Sequence, residues 1–134
     1  MFKATIFKTA VISLSGIMDE TFVAKEGVRK YNQDNAERSC KLFLTVDNPL
    51  DADVLIGIVG NRLEKTELIE ESLKAGKKVL IFFTAYQDPK NTIASEQTAV
   101  ADYMKQMQKR CFCAEFNGST DLEHLLVEQL NTAE

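Results

Sequence analysis

No run of the chain approaches the ~18 apolar residues a helix needs to cross a bilayer. The most apolar segments, DVLIGIVG and KVLIFF, stop far short of that length, so no membrane-spanning role is expected. An excess of positive charge is missing too. Sixteen Lys and Arg against 20 Asp and Glu leave a formal net charge of -4, and no broad basic field exists to draw a phosphate backbone. Nucleic acid is therefore not an expected partner. The opening MFKATIFKTAVISLSG interrupts its apolar residues with Lys3, Thr5, Lys8 and Thr9, unlike the unbroken apolar stretch of an export signal. The expected location is cytoplasmic.

Cysteine is scarce and badly spaced for a metal. Cys40, Cys111 and Cys113 form an odd set with no zinc-type pairing, and reduced thiols are expected inside a cell. Cys111 and Cys113, in CFC, would share one face of a strand. A small apolar role suits them, with redox or metal chemistry as the alternative. The single histidine, His124, lies in the last predicted helix, so no Ser-His or Cys-His triad can be assembled. A Walker loop, GxGxxG and CxxC pairs are all absent, which removes the common ATP, dinucleotide and zinc signatures. The first turn also lacks the hydroxyl- and glycine-rich loop that holds a flavin phosphate. No cofactor and no metal are expected.

What is present is an ordinary globular composition, 45% apolar and 27% charged, in 134 residues. That length suits one domain, 1–134, and no repeat, linker or low-complexity tract divides it. The first strand includes Ala10 to Leu14 and could begin as early as Lys3, before Ser15-Gly16 ends it. A helix capped by Asp19 runs to about Asn32, with Phe22, Val23, Gly27, Val28 and Tyr31 at helical spacing. Lys41 to Val46 alternates polar and apolar residues until Asp47-Asn48-Pro49 stops it, the pattern of an edge strand. Asp53 to Gly60 is apolar throughout, as a parallel strand covered on both faces must be.

Glu64 to Ala75 reads as a helix, with Leu68, Ile69 and Leu73 inward, Glu67, Glu70, Glu71 and Lys74 outward, and Gly76 at its end. A second buried strand, Lys78 to Thr84, precedes a polar loop, a helix over Ala94 to Lys109 and a last strand from Arg110 to Phe116. Ser119, Thr120 and Asp121 offer caps for a final helix whose inward stripe is Leu122, Leu125, Leu126 and Leu130. Alternation of this kind predicts an α/β, flavodoxin-like three-layer sandwich around a five-stranded parallel sheet, in the order 2-1-3-4-5. Only residues 47–52 separate the second and third predicted strands. No crossover helix fits there, so either the second strand pairs elsewhere or the connection is unusually abbreviated.

In open α/β sheets ligands settle outside the carboxyl ends of the strands. That rule selects Ser13, Ser15 and Gly16 after the first strand, Gly60, Asn61 and Arg62 after the third, Thr66 and Glu67 opening the next helix, and Thr84 to Gln87 after the fourth. Glu67 could act as a nucleophile or accept sugar hydroxyls, since a carboxylate stabilises or captures an oxocarbenium-like centre. It could equally serve the helix macrodipole. Arg62 could hold a phosphate or carboxylate through its planar fork, or simply be a solvated loop cation. Ser13 and Ser15 could donate to a phosphate, or be turn residues only.

VISLSGIMDE, VRKYNQDNAERSCKLFLTVDNP, DADVLIGIVGNR, KTELIEESLKAGKKVLIFF, EQTAVADYMKQMQKRCFCAEF and DLEHLLVEQL follow one another across most of the chain. In that order and spacing they resemble a bacterial domain of unknown function related to nucleoside 2-deoxyribosyltransferases and Toll/interleukin-receptor (TIR) domains, often found ahead of signalling NTPase modules. The resemblance implies an N-glycosidase or a deoxyribosyl transfer on NAD or a nucleoside, in bacterial defence or signalling, with Glu67 as the catalytic glutamate. Two departures are visible. Glu64-Lys65 stands where the family has Ser-Gly, and much of the segment between the second and third strands is missing. The alternative is a catalytically inactive domain that binds a partner or self-associates as a homo-oligomer.

Overall fold

The computed structural model describes residues 5–13, 24–33, 41–60, 66–84 and 94–132. Five strands, β1 (Thr5–Ser13), β2 (Lys41–Thr45), β3 (Val54–Val59), β4 (Lys78–Thr84) and β5 (Phe112–Phe116), form one sheet. Every pairing is parallel and the order is 2-1-3-4-5, as expected. Four helices flank it among the described residues: α1 over residues 24–33, α2 (Thr66–Lys74), α3 (Ala94–Met107) and α4 (Ser119–Thr132). The architecture is the α/β flavodoxin-like sandwich.

Alternation of side chains along each strand divides the core into two layers. On one face Val11, Phe43, Val54, Ile56, Ile58, Leu80, Phe82 and Phe116 meet Ala24, Val28 and Tyr31 of α1 and Leu122, Leu126 and Leu130 of α4. On the other, Ala10, Leu55, Val59, Val79, Ile81 and Phe83 meet Ile69 of α2 and Val100 and Met107 of α3. β3 is buried along its whole length, so its uninterrupted VLIGIV follows from burial on both faces. Gly27 lies where α1 and α4 approach: a Cβ there would stand 3.0 Å from Leu126 Cδ2.

The short connection between β2 and β3 has a geometric cause. β1 pairs its first half with β2, Thr5 to Thr9 opposite Lys41 to Thr45, and its second half with β3, Thr9 to Ser13 opposite Val54 to Ile58. The carboxyl end of β2 and the amino end of β3 thus sit at one level on either side of Thr9. The chain has only to step across one strand, roughly twice the ~4.8 Å strand spacing, instead of returning the length of the sheet. A single 3-10 turn, Pro49–Asp51, suffices. The Asn48 side chain accepts from Leu50 N at 3.1 Å, and Lys77 Nζ donates to Leu50 O, which fixes the turn against the end of α2. The connection is abbreviated and β2 pairs where expected.

Side chains complete what this stagger leaves open. Asp53 N donates to Lys8 O at 2.7 Å while Lys8 N donates to Asp53 Oδ2 at 2.9 Å, which extends the β1 ladder by one step before β3 begins. On the outer edge, Asn32 of α1 donates from Nδ2 to Phe43 O at 2.7 Å and accepts from Phe43 N at 2.8 Å. Its carboxamide occupies the place of a sixth strand's peptide. Phe43 itself stacks on Phe7, with centroids 5.1 Å apart, and meets Tyr31 edge-on at 5.4 Å.

Element ends differ from the sequence expectation where hydrogen bonds decide them. β5 starts at Phe112, not Arg110, because Arg110 N and Cys111 N both donate to Met107 O, each at 2.9 Å, and prolong the end of α3. Gly76, at φ 75, terminates α2 in a Schellman motif, with Gly76 N on Leu73 O and Lys77 N on Ser72 O. Ser72 joins the inward face of α2, which the apolar pattern did not indicate. At α4, Asp121 Oδ2 accepts from Asn117 N at 2.8 Å, so the third cap candidate bonds back across the helix start. Phe22, Val23, Leu14 and Asp19 lie outside the described residues.

Removing the Asn32 carboxamide leaves two part-buried backbone groups of Phe43 unpaired, which costs about 1–3 kcal/mol. Asn32→Ala should therefore lower the urea midpoint at an unchanged slope. A midpoint within error of the parent would show that the edge strand needs no such cover.

Candidate functional site

The chain leaves β1 toward β2, then resumes on the opposite side of β1 at β3. The direction of strand addition reverses between β1 and β3, and at such a switch point the flanking loops part and open a crevice at the carboxyl ends of the strands. Ser13, half-buried, ends β1, and buried Gly60 follows the last residue of β3. Since Ser13 is opposite Ile58 in the register, the two strands end side by side. Half-buried Thr84 ends β4 on the far side of β3, and half-buried Thr66 is the first residue of α2. The remaining predicted binding residues, Ser15, Gly16, Asn61 and Arg62, lie outside the described residues.

Glu67 stands exposed in the first turn of α2, the helix that follows β3. Among the described residues nothing is bonded to its carboxylate. One turn further on, Glu70 is fully engaged: Arg110 donates to its two oxygens at 2.6 and 2.8 Å. That fork-to-fork contact holds the Glu70 carboxyl below its ordinary range and raises the Arg110 guanidinium. Of the two acids, only Glu67 is left available to a ligand. The carboxyl of Glu70 instead ties α2 to the turn between α3 and β5.

The mid-section of α3 places a second polar group that sequence reasoning missed. Tyr103 leans on Phe83, with centroids 6.5 Å apart, and its hydroxyl is buried with no partner among the described residues. Burial, with Glu70 and the thiols of Cys111 and Cys113 nearby, pushes the phenol up to about 12. An amphipathic pattern marks such a tyrosine as core and cannot show whether its hydroxyl finds an acceptor. His124 is exposed on α4, and no group of three or more metal-binding side chains occurs among the described residues. No described helix is long and apolar enough to cross a membrane.

Two surface depressions flank α1. One, about 390 Å³, is lined by Glu26, Arg29, Lys30, Gln33 and Glu123, and the other, about 380 Å³, lies toward Phe43, Leu44 and Thr45. Exposed pairs cross the first, Arg29 with Glu26 at 2.8 Å and Lys30 with Glu123 at 2.9 Å. Neither contains Glu67.

Because the Tyr103 phenol is raised in the folded chain, the fold favours its neutral form. Its contribution is complete below the ordinary tyrosine pKa of about 10 and is lost as pH rises through about 12. Tyr103→Phe should therefore match or exceed the parent near neutrality, and its lead in urea midpoint should widen above about pH 10. A difference that stays flat with pH would show that the phenol titrates alike in both states.

No protein-family model matches the chain, and no curated protein matches it in sequence.

Proposed function

We propose that the chain is a nucleotide- or nucleoside-recognising domain that cleaves or senses an N-glycosidic bond, with Glu67 as the carboxylate that meets the sugar. The observation that carries this reading is the place of Glu67: exposed, unengaged among the described residues, and in the first turn of the helix following β3, one of the two strands that bound the switch point. The resemblance to nucleoside 2-deoxyribosyltransferases and TIR domains supports the same residue. In the step proposed, a Glu67 oxygen bonds to the anomeric carbon while the carbon–nitrogen bond breaks and the departing base keeps the electron pair; a nucleobase takes up a proton as it leaves, whereas nicotinamide, leaving a pyridinium, departs neutral without one. Water or a second base then displaces the carboxylate. Ser13, Ser15, Gly16, Gly60, Asn61, Arg62, Thr66 and Thr84 supply the surrounding donors for sugar or phosphate.

A second reading, self-association, is favoured by one apolar surface. The turn between β2 and β3 covers β1 only near Thr9, and among the described residues no helix shields the sheet on that side of its outer strands. Ile6, Leu44 and Leu50 are 58%, 51% and 56% exposed there. The edge of β2 is occupied at Phe43 by Asn32, so an added strand is obstructed while the face stays open. The occupant proposed is a second copy. Exposed Lys8 lies beside Leu44 in the sheet, with exposed Asp47, Asp51 and Asp53 around the turn, so a two-fold contact sets each copy's lysine against the other's carboxylates.

Incubation with NAD and with deoxynucleosides should release nicotinamide or free base, and Glu67→Gln should reduce that release by on the order of 10²-fold or more. Undiminished turnover in the variant would overturn the role of Glu67, and saturable binding without turnover would reduce the reading to sensing. Light scattering against concentration should show a dimer that Leu44→Glu dissociates. A parent that stays monomeric throughout would remove the second reading.

A further inference from the structure

The two edges of the sheet are finished differently. On the outer side of β2 the Asn32 carboxamide bonds both main-chain groups of Phe43, whereas along β5 no described side chain bonds the outer main-chain groups. Proline and lysine, common protectors of such an edge, are absent from FCAEF, and its one charge is the exposed Glu115. Phe112, Cys113 and Ala114 remain half-exposed.

The register fixes which of those groups point outward. Main-chain groups of successive strand residues turn to alternate sides, and in a parallel pair each residue bonds the two neighbours of its register partner. Lys8 N and O address Asp53, so Ala10 and Ile12 also address β3. Opposite Ala10 stands Leu55, so Val54 and Ile56 turn to β1 while Leu55 and Gly57 turn to β4. Lys78 N on Asp53 O, at 3.2 Å, agrees with this phase. The same step across β4 leaves Val79, Ile81 and Phe83 facing β5, and because Ile81 is opposite Cys113, it addresses Phe112 and Ala114. The N–H and C=O groups of Cys113 and Glu115 therefore point out of the sheet, together with the Cys111 carbonyl. Cys111 N is already on Met107 O at 2.9 Å.

We propose that the open edge of β5 is the contact surface for a second copy of this chain, whose own β5 lies antiparallel to it across a two-fold axis at Cys113. The outward groups fall at Cys111, Cys113 and Glu115, symmetrically about Cys113, so one rotation satisfies them together. Cys113 N and O exchange bonds with their counterparts, and each Glu115 N reaches the other copy's Cys111 O. Phe112 then lies opposite Ala114 of the second copy, large against small, in the closer kind of cross-strand pair. The charges match as well. The register brings exposed Glu115 to the turn of the second copy where exposed Lys109 stands, and neither side chain has a partner among the described residues. Two five-stranded sheets become one continuous sheet. This surface lies at the far edge from Ile6, Leu44 and Leu50, and with few bonds and little apolar area it is the weaker contact.

The test is residue-resolved amide hydrogen exchange of the whole chain at about 20 µM and at about 1 mM, concentrations that bracket a weak dimer. The amides of Cys113 and Glu115 should exchange at least about threefold more slowly at the higher concentration, while those of Phe112 and Ala114, held by β4, are protected at both. Leu44→Glu should leave this change in place, so failure of the apolar contact and failure of the edge contact are told apart. Glu115→Pro removes an outward N–H that the β4 ladder does not use. It should keep a cooperative urea transition and abolish the concentration dependence at Cys113. Lys109→Glu should weaken that dependence, and adding Glu115→Lys should restore it. Equal exchange of the Cys113 and Glu115 amides at both concentrations would overturn the proposal, as would protection that survives Glu115→Pro. The exchange of the parent protein decides it even where the proline variant does not fold.

Discussion

β1 serves two neighbours in succession along its nine residues, and the level of Thr9, where one partner ends and the other begins, sets the geometry of the rest. A strand flanked along its whole length on both sides would require the chain to travel back between β2 and β3, which takes a crossover of a dozen residues or more. Staggering the partners removes that return. Eight residues, 46–53, then connect two parallel strands of one sheet.

The stagger also leaves backbone groups exposed on one side of β1, and short polar side chains complete the ladder there. Asp53 provides an acceptor where β3 has not yet begun, and Asn32 provides both donor and acceptor on the outer side of β2, where none of the described strands follows. Each is a local substitute for a strand peptide, consistent with the high cost of an unpaired buried amide or carbonyl. The same economy of chain leaves Ile6 and Leu44 exposed on one face, where none of the described helices packs.

Much of the architecture was legible because its signals are periodic or compositional. The apolar VLIGIV and the leucine stripe of α4 could belong only to a doubly covered strand and to a core-facing helix. Less of the candidate site was legible. The carboxyl-end rule finds Ser13, Gly60, Thr66, Glu67 and Thr84 without knowledge of any side-chain contact. It could not distinguish Glu67 from Glu70, two outward acids one turn apart, because the distinction rests on Arg110, 40 residues away in sequence.

The sequence by itself determined the element types, the parallel sense of the sheet and the end of the sheet where ligands would gather, because alternation of strand and helix leaves few ways to bury two apolar layers. The tertiary structure alone decided the split of β1 between two partners and which acid is tied by a guanidinium. These are contacts between residues distant in the chain or fixed by local backbone geometry, and no period or composition in the sequence encodes the distances on which they depend.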